Sequence, residues 1–228
     1  MVVSVKGSAT ARELLESSGD ALSGRSVVNL TDGTSAEVRA VADWAAGRGA
    51  QYLHGQIMTI APGIGGADTV IFYGGSEAVY DRYRTALRLI GGRGTLVADD
   101  AGVPTLYGMA VHGTMWGTLN GFLHAAALLS SEGIEVKRFP GRRPGVPGRA
   151  VGVLPDDRRR GRPRRVRDGV RGTPTPPPSV EDLVRESEAR NIDAEFPRYT
   201  LGLVNEAVEA GHADDSYARL VEHFRNKK

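Results

Sequence analysis

Two hydrophobic periods divide the chain. Short runs dense in β-branched and aromatic residues occur at VVSVK (2–6), SVVNLT (26–31), AQYLHGQIM (50–58), TVIFYGG (69–75) and TLVAD (95–99), and their composition predicts strands. Between them lie SATARELLESS (8–18), TSAEVRAVADWAAGRG (34–49) and SEAVYDRYRTALRLIG (76–91). In the second of these, Val38, Val41, Ala42 and Ala45 recur at helical spacing and form one apolar face. Thr34 or Ser35 is placed to cap that helix, and Gly49 sits just past its end. Ser76 opens the third helix and Gly91–Gly92 stop it. Strands alternating with helices of this length predict an α/β fold with a mainly parallel, doubly wound sheet. Ligands bind such sheets at the carboxyl ends of the strands, which directs attention to residues 4–7, 29–34 and 56–66.

The pattern then changes. From Ala101 to Ser131 there is no charged residue, and LYGMAVHGTMWGTLNGFLHAAALL reads as one long helix of roughly 36 Å at 1.5 Å per residue. A membrane span needs about 20 predominantly apolar residues. His112, Thr114, Thr118, Asn120, His124 and four glycines make this stretch too polar for that, so a buried interdomain helix is expected. Gly113, Gly117 and Gly121 share one face, a ridge that lets another backbone approach closely.

Composition adds a second division. Residues 140–178 carry eleven arginines, no lysine, three aspartates and nine of the twelve prolines. The remainder holds 18 basic and 24 acidic residues, so a mildly acidic protein contains a strongly basic insert. Proline forbids a helix through that insert. It has no aromatic residue for base stacking, and no nucleic-acid fold adjoins it, so nucleic acid is not an expected partner. The absence of cysteine excludes disulfides, thiolate zinc sites and thiol catalysis. His212 and His223 lack partners at metal spacing, and no metal is expected. Lys6, Arg12 and Glu13 interrupt any leader-like apolar run, making a cytoplasmic location the expectation.

A dinucleotide site would show G-x-G-x-x-G after a strand and opening a helix. The nearest candidate, GIGGAD (63–68), is followed by a strand and reads better as a turn between two strands.

Taken in order, the NLT-GT turn at 29–34, the YL-G-IM strand, the IG-x-x-x-x-x-I-x-Y-x-G hairpin and the LY…MWG…G-x-LH helix resemble the imine reductases. These are NADPH-dependent relatives of the β-hydroxyacid dehydrogenases. The likeness is close over about residues 22–139 and resumes at 179–225, where AGHADDSYARLVE resembles the family's terminal helix pair. It implies a Rossmann-type cofactor domain of which residues 1–100 are the second half. A long interdomain helix (101–131) and an all-helical C-terminal domain (132–228), interrupted by 140–178, would follow. It further implies NADPH as cofactor, an imine or a carbonyl plus an amine as substrate, and a homodimer built on helix 101–131 and the C-terminal helices. A β-hydroxyacid or 6-phosphogluconate-type dehydrogenase would want a lysine on the long helix, which has none. A non-catalytic remnant that only dimerises is the reading from a different class.

Three departures accompany the resemblance. The chain opens at the family's fourth strand, so the glycine-rich loop would belong to roughly 60 preceding residues at ~30 per βαβ motif. Family members place an aspartate or tyrosine after the LY of the long helix, where this chain has Gly108. His112, one turn on, is the candidate acid–base group, with Tyr107 the other candidate. Residues 140–178 replace helices of the family and are read as a disordered linker or as translation out of frame.

Ser4, Val5, Asn29, Leu30 and Thr31 are the expected cofactor-binding residues, and Asn29, Thr31 and Thr34 also suit ordinary turn chemistry. Met58, Met115 and Trp116 are the candidate substrate pocket. His54, in the third strand, is expected to face solvent. Asp214 and Asp215 are expected to cap the last helix.

Overall fold

The computed structural model describes residues 1–134, 178–213, 215 and 217–225. The chain divides into two compact units, Met1–Val111 and His112–Lys228. The residues 140–178 singled out above lie almost wholly outside the described ones.

In the first unit the elements alternate as β1 (Val2–Val3), α1 (Ser8–Ser17), β2 (Ser26–Asn29), α2 (Ser35–Ala46), β3 (Gln51–Ile57), β4 (Val70–Gly75), α3 (Glu77–Ile90) and β5 (Arg93–Ala98). The sheet order follows the chain, β1-β2-β3-β4-β5. All neighbours are parallel except β3 and β4, which pair antiparallel with Gln56 opposite Phe72. The expected mainly parallel α/β sheet is therefore present, and β1, β2 and β3 end at one common edge. GIGGAD lies in the connection between β3 and β4, as a turn between two strands.

Side-chain alternation sorts the two faces. Val3, Val27 and Tyr52 pack with Ala11 and Leu15 of α1 and with Val38, Val41 and Ala45 of α2. On the opposite face, Val28, Leu53, Ile71 and Tyr73 pack against Val79, Tyr80 and Leu87 of α3. β3 is thus covered on both sides.

Local chemistry fixes the helix ends. Thr34 caps α2 in a reciprocal capping box: the Glu37 amide donates to Thr34 Oγ1 at 3.3 Å, and the Thr34 amide donates to Glu37 Oε2 at 2.7 Å. Ser76 caps α3 by accepting from Val79 N. Gly75, at the end of β4, has φ 112° and lies where a Cβ would meet Tyr52 O at 2.5 Å. Both conditions require glycine there.

A 29-residue helix, α4 (Val103–Ser131), follows the sheet, close to the span expected, and the boundary between the two units falls within it. Its start is fixed in the first unit by Asp100, which accepts from Arg39 Nε at 2.9–3.0 Å and from Gly102 N at 2.7 Å. No helix of the described residues is long and apolar enough to cross a membrane.

In the second unit, α5 (Pro178–Ala189), α6 (Glu195–Glu209) and α7 (Leu220–Arg225) accompany the rest of α4. Leu123, Ala126 and Ala127 of α4 pack with Leu203 and Val204 of α6 and with Leu220 and Val221 of α7. The glycine ridge is partly used. A Cβ at Gly113 would touch Leu183 at 3.6 Å and one at Gly117 would touch Phe196 at 3.4 Å, whereas Gly121 has nothing within 4 Å. Asp215 pairs with His212 Nδ1 at 3.1 Å, and Asp214 lies outside the described residues.

Candidate functional site

Hydrogen bonds tie together the three strand exits at the common edge of the sheet. After β1, the Val5 amide donates to Thr31 Oγ1 at 3.2 Å. After β2, Asn29 Oδ1 accepts from the Thr31 amide at 3.0 Å, the local bond that makes Asn a turn former, and Asn29 Nδ2 donates to Tyr52 OH at 2.9 Å. Burial pushes the Tyr52 phenol up to about 12, with the Asn29 bond offsetting part of the rise. Tyr52 therefore remains a neutral acceptor at physiological pH. Ser8 Oγ donates to the Asp32 carbonyl at 3.2 Å. At the end of β3, Gln56 Nε2 donates to Asp32 Oδ1 at 2.9 Å.

Of the expected cofactor residues, Asn29 and Thr31 are buried at 2% exposure each, Leu30 and Val5 are half-buried, and Ser4 is exposed. The structure brings these five together. The side chains of Asn29 and Thr31 point into the protein, where they brace the turn, and Ser4 and Asp32 stand at its surface.

The first turns of α4 lie along the same face of β3. Thr105 Oγ1 is 3.3 Å from His54 Nε2, and the Tyr107 ring lies 5.2 Å from that of Phe72. Gly108 backs onto Gln56: a Cβ built there would come within 2.6 Å of Gln56 Cγ and 3.0 Å of Cδ. His54 corrects the sequence reading. It is completely buried, not solvent-facing, because β3 is central and α4 covers the face to which His54 points. Desolvation lowers its pKa to about 4, with the Gln56 amide offsetting part of the shift, and its Nδ1 has no hydrogen-bond partner. The imidazole is therefore neutral at pH 7.

The other candidates are distributed between the units. Tyr107 is about half exposed in the first. Met58, just past β3, is half-buried, with its amide donating to Val70 O at 3.0 Å. His112 and Met115 are half-buried in the second unit. Trp116, also in the second, is buried, stacks at 4.6 Å on Tyr217, and has an indole N–H without a partner. Beside it, Tyr217 OH donates to Asn120 Oδ1 at 2.7 Å and Asn120 Nδ2 donates to Thr200 Oγ1 at 3.1 Å. Among the described residues, no group of three His, Asp or Glu side chains is arranged to hold a metal ion.

Asp32, Gln56 and Asn120 are polar participants that the sequence does not single out as candidates, although Asp32 and Gln56 fall within the strand-exit segments. Asp32 is indistinguishable from turn chemistry in NLTDGT. Gln56 carried a signal: it alternates with Tyr52 and His54 along a strand whose neighbours predict burial, and a buried amide needs partners.

A family model for the C-terminal domain of NADPH-dependent reductive aminase-like proteins matches residues 100–146 and 175–226. An NADPH-dependent reductive aminase of Aspergillus oryzae is 28% identical over 213 residues, 90% of this chain and 70% of that protein. Among solved structures, the imine reductase of Myxococcus stipitatus in complex with NADP+ is 28% identical. The likeness covers 98% of this chain and 78% of that one, with a TM-score of 0.59. The reductive aminase of Aspergillus terreus, solved with NADPH4, cyclohexanone and allyl amine, shows the same identity and coverage at a TM-score of 0.55. The chain is thus similar, through both of its units, to imine reductases and reductive aminases.

Proposed function

We propose that this chain is an NADPH-dependent oxidoreductase that reduces a C=N bond, either of a preformed imine or of one formed from a carbonyl compound and an amine. The observation that carries the reading is likeness along nearly the whole chain, through both units, to enzymes solved with NADP+ or NADPH. The nicotinamide, when bound, supplies the hydride. Its carboxamide and ribose need hydrogen-bonding groups on a rigid surface, and the strand exits offer exposed Ser4 beside a turn braced by Asn29 and Thr31. Residues 1–100 are read as the cofactor-binding part, with the backbone at Val5 and Leu30 forming the floor. No described residue is assigned to the pyrophosphate.

Proton delivery is assigned to His112 or Tyr107, since Gly108 between them has no side chain with which to give or take a proton. Met58, Met115 and Trp116 are proposed to line the substrate's apolar part, and the unpartnered Trp116 N–H supports a polar contact there. A homodimer formed through α4 and the C-terminal helices is part of the same reading. Val111 at the unit boundary and Leu128, Phe196 and Tyr199 of the helical unit are 42–64% exposed, which supports a covered face.

The test follows NADPH absorbance with 1-pyrroline, and separately with cyclohexanone plus allyl amine. Oxidation that depends on the imine or on both amine and ketone is expected. Failure of the chain to bind NADPH at millimolar concentration, followed by cofactor fluorescence, overturns the reading.

A further inference from the structure

Gly108 and Gln56 occupy one space between them. The helix backbone lies on the Gln56 amide so closely that any side chain at 108 would collide with Cγ and Cδ. Gln56 Nε2 in turn donates to Asp32 Oδ1 at 2.9 Å. Gln56 is buried at 6% exposure, while Asp32 is exposed. Ser8 holds the Asp32 backbone from the other side. A surface carboxylate in a turn would ordinarily sample several rotamers; this one is fixed by a buried donor that is itself packed under a helix. Glu37 is committed to the α2 capping box and Asp100 to Arg39. Asp32 is thus an exposed carboxylate just past β2 that a buried donor holds in place.

We propose that Asp32 is a substrate-binding carboxylate for a cationic nitrogen, the iminium or ammonium form of the substrate or product, and that Gln56 is its positioning residue. This rests on the C=N reading above. A fixed carboxylate is chemically suited to an N–H+ donor, because a charge-assisted bond is stronger than a neutral one and selects the charged form of the ligand. The glycine at 108 makes this arrangement possible by leaving Gln56 room to reach Asp32.

The experiment measures affinities of the full chain for pyrrolidinium (as the hydrochloride) and for tetrahydrofuran, a neutral ring of the same size, by calorimetry with and without NADPH. Wild type is expected to prefer the cation by about tenfold or more, the scale of one charge-assisted bond. Asp32→Asn, conservative and on the surface, is expected to abolish the preference. Gln56→Ala, and Gly108→Ala by displacing Gln56, are expected to reduce the preference severalfold. The ratio of the two affinities is a readout that general loosening of the fold would not move selectively. A wild-type chain without the preference, or a preference that survives Asp32→Asn, overturns the proposal. Absent NADPH binding with the preference intact overturns the reductase reading and leaves the cation site standing.

Discussion

At the scale of single residues the most consequential polar group is His54. Its folded pKa, lowered to about 4 by desolvation, lies below the ordinary value near 6.5 of an unfolded chain. The unfolded state therefore takes up the proton first as the medium is acidified. Stability contributed by the neutral, buried imidazole is complete above pH 6.5 and is lost progressively down to about pH 4. The full loss is on the order of 3 kcal/mol, from the size of the shift. Urea denaturation of wild type and His54→Gln at pH 7.5 and pH 5 checks this. The wild type should lose more stability across the interval than the variant, and equal losses would assign the acid sensitivity elsewhere. The position also shows where sequence reading stops. A histidine in a strand looks solvent-facing until the helix that covers that face is located, and the local pattern does not encode that helix's path.

At the scale of elements the sequence was most readable where a structure is closed by nearby residues. α2 is an example: Thr34 and Glu37 stand three residues apart, the spacing at which each caps the other, and both bonds are present. Thr34→Ala should cost about 1 kcal/mol, seen as a lower urea midpoint with an unchanged slope. Because Thr34 follows the turn of Asn29, Thr31 and Asp32, the same variant should also loosen that turn, visible as faster amide exchange at 29–34. The five strands, α3 and the long α4 were likewise announced by periodicity and by capping Ser or Gly. The site was less legible. Asn29 and Thr31 stand out in the sequence both as cofactor-binding candidates and as turn formers, and in the structure their side chains brace the turn. Asp32 and Gln56 were missed because they are 24 positions apart and meaningful only once β2 and β3 are paired.

At the scale of the whole molecule, two compact units share one helix. In the first unit the central strand β3 is covered on both faces. In the helical unit Leu128 is 64% exposed, Tyr199 49% and Phe196 42%. Burial of an aromatic or leucine side chain of this kind is worth about 1.5–3 kcal/mol, so a second copy covering them would stabilise the chain appreciably. Light scattering is expected to give twice the chain mass of 24.3 kDa at micromolar concentration, and Leu128→Glu with Phe196→Glu to shift it towards the single mass. A monomer at every concentration would refute the dimer.

What the sequence determined by itself was the alternation of strand and helix, the uncharged α4, the helix caps and the family resemblance. All of these depend on residues within a few positions of each other or on the order of motifs along the chain. Only the tertiary structure decided that His54 is buried and neutral, that Gly108 is filled by Gln56, and that Asp32 is the fixed carboxylate at the strand ends. Those outcomes arise from contacts across the sheet and from α4 lying on β3. Burial, pKa and hydrogen-bond partnership are properties of that shared space, and no single segment of the chain carries them.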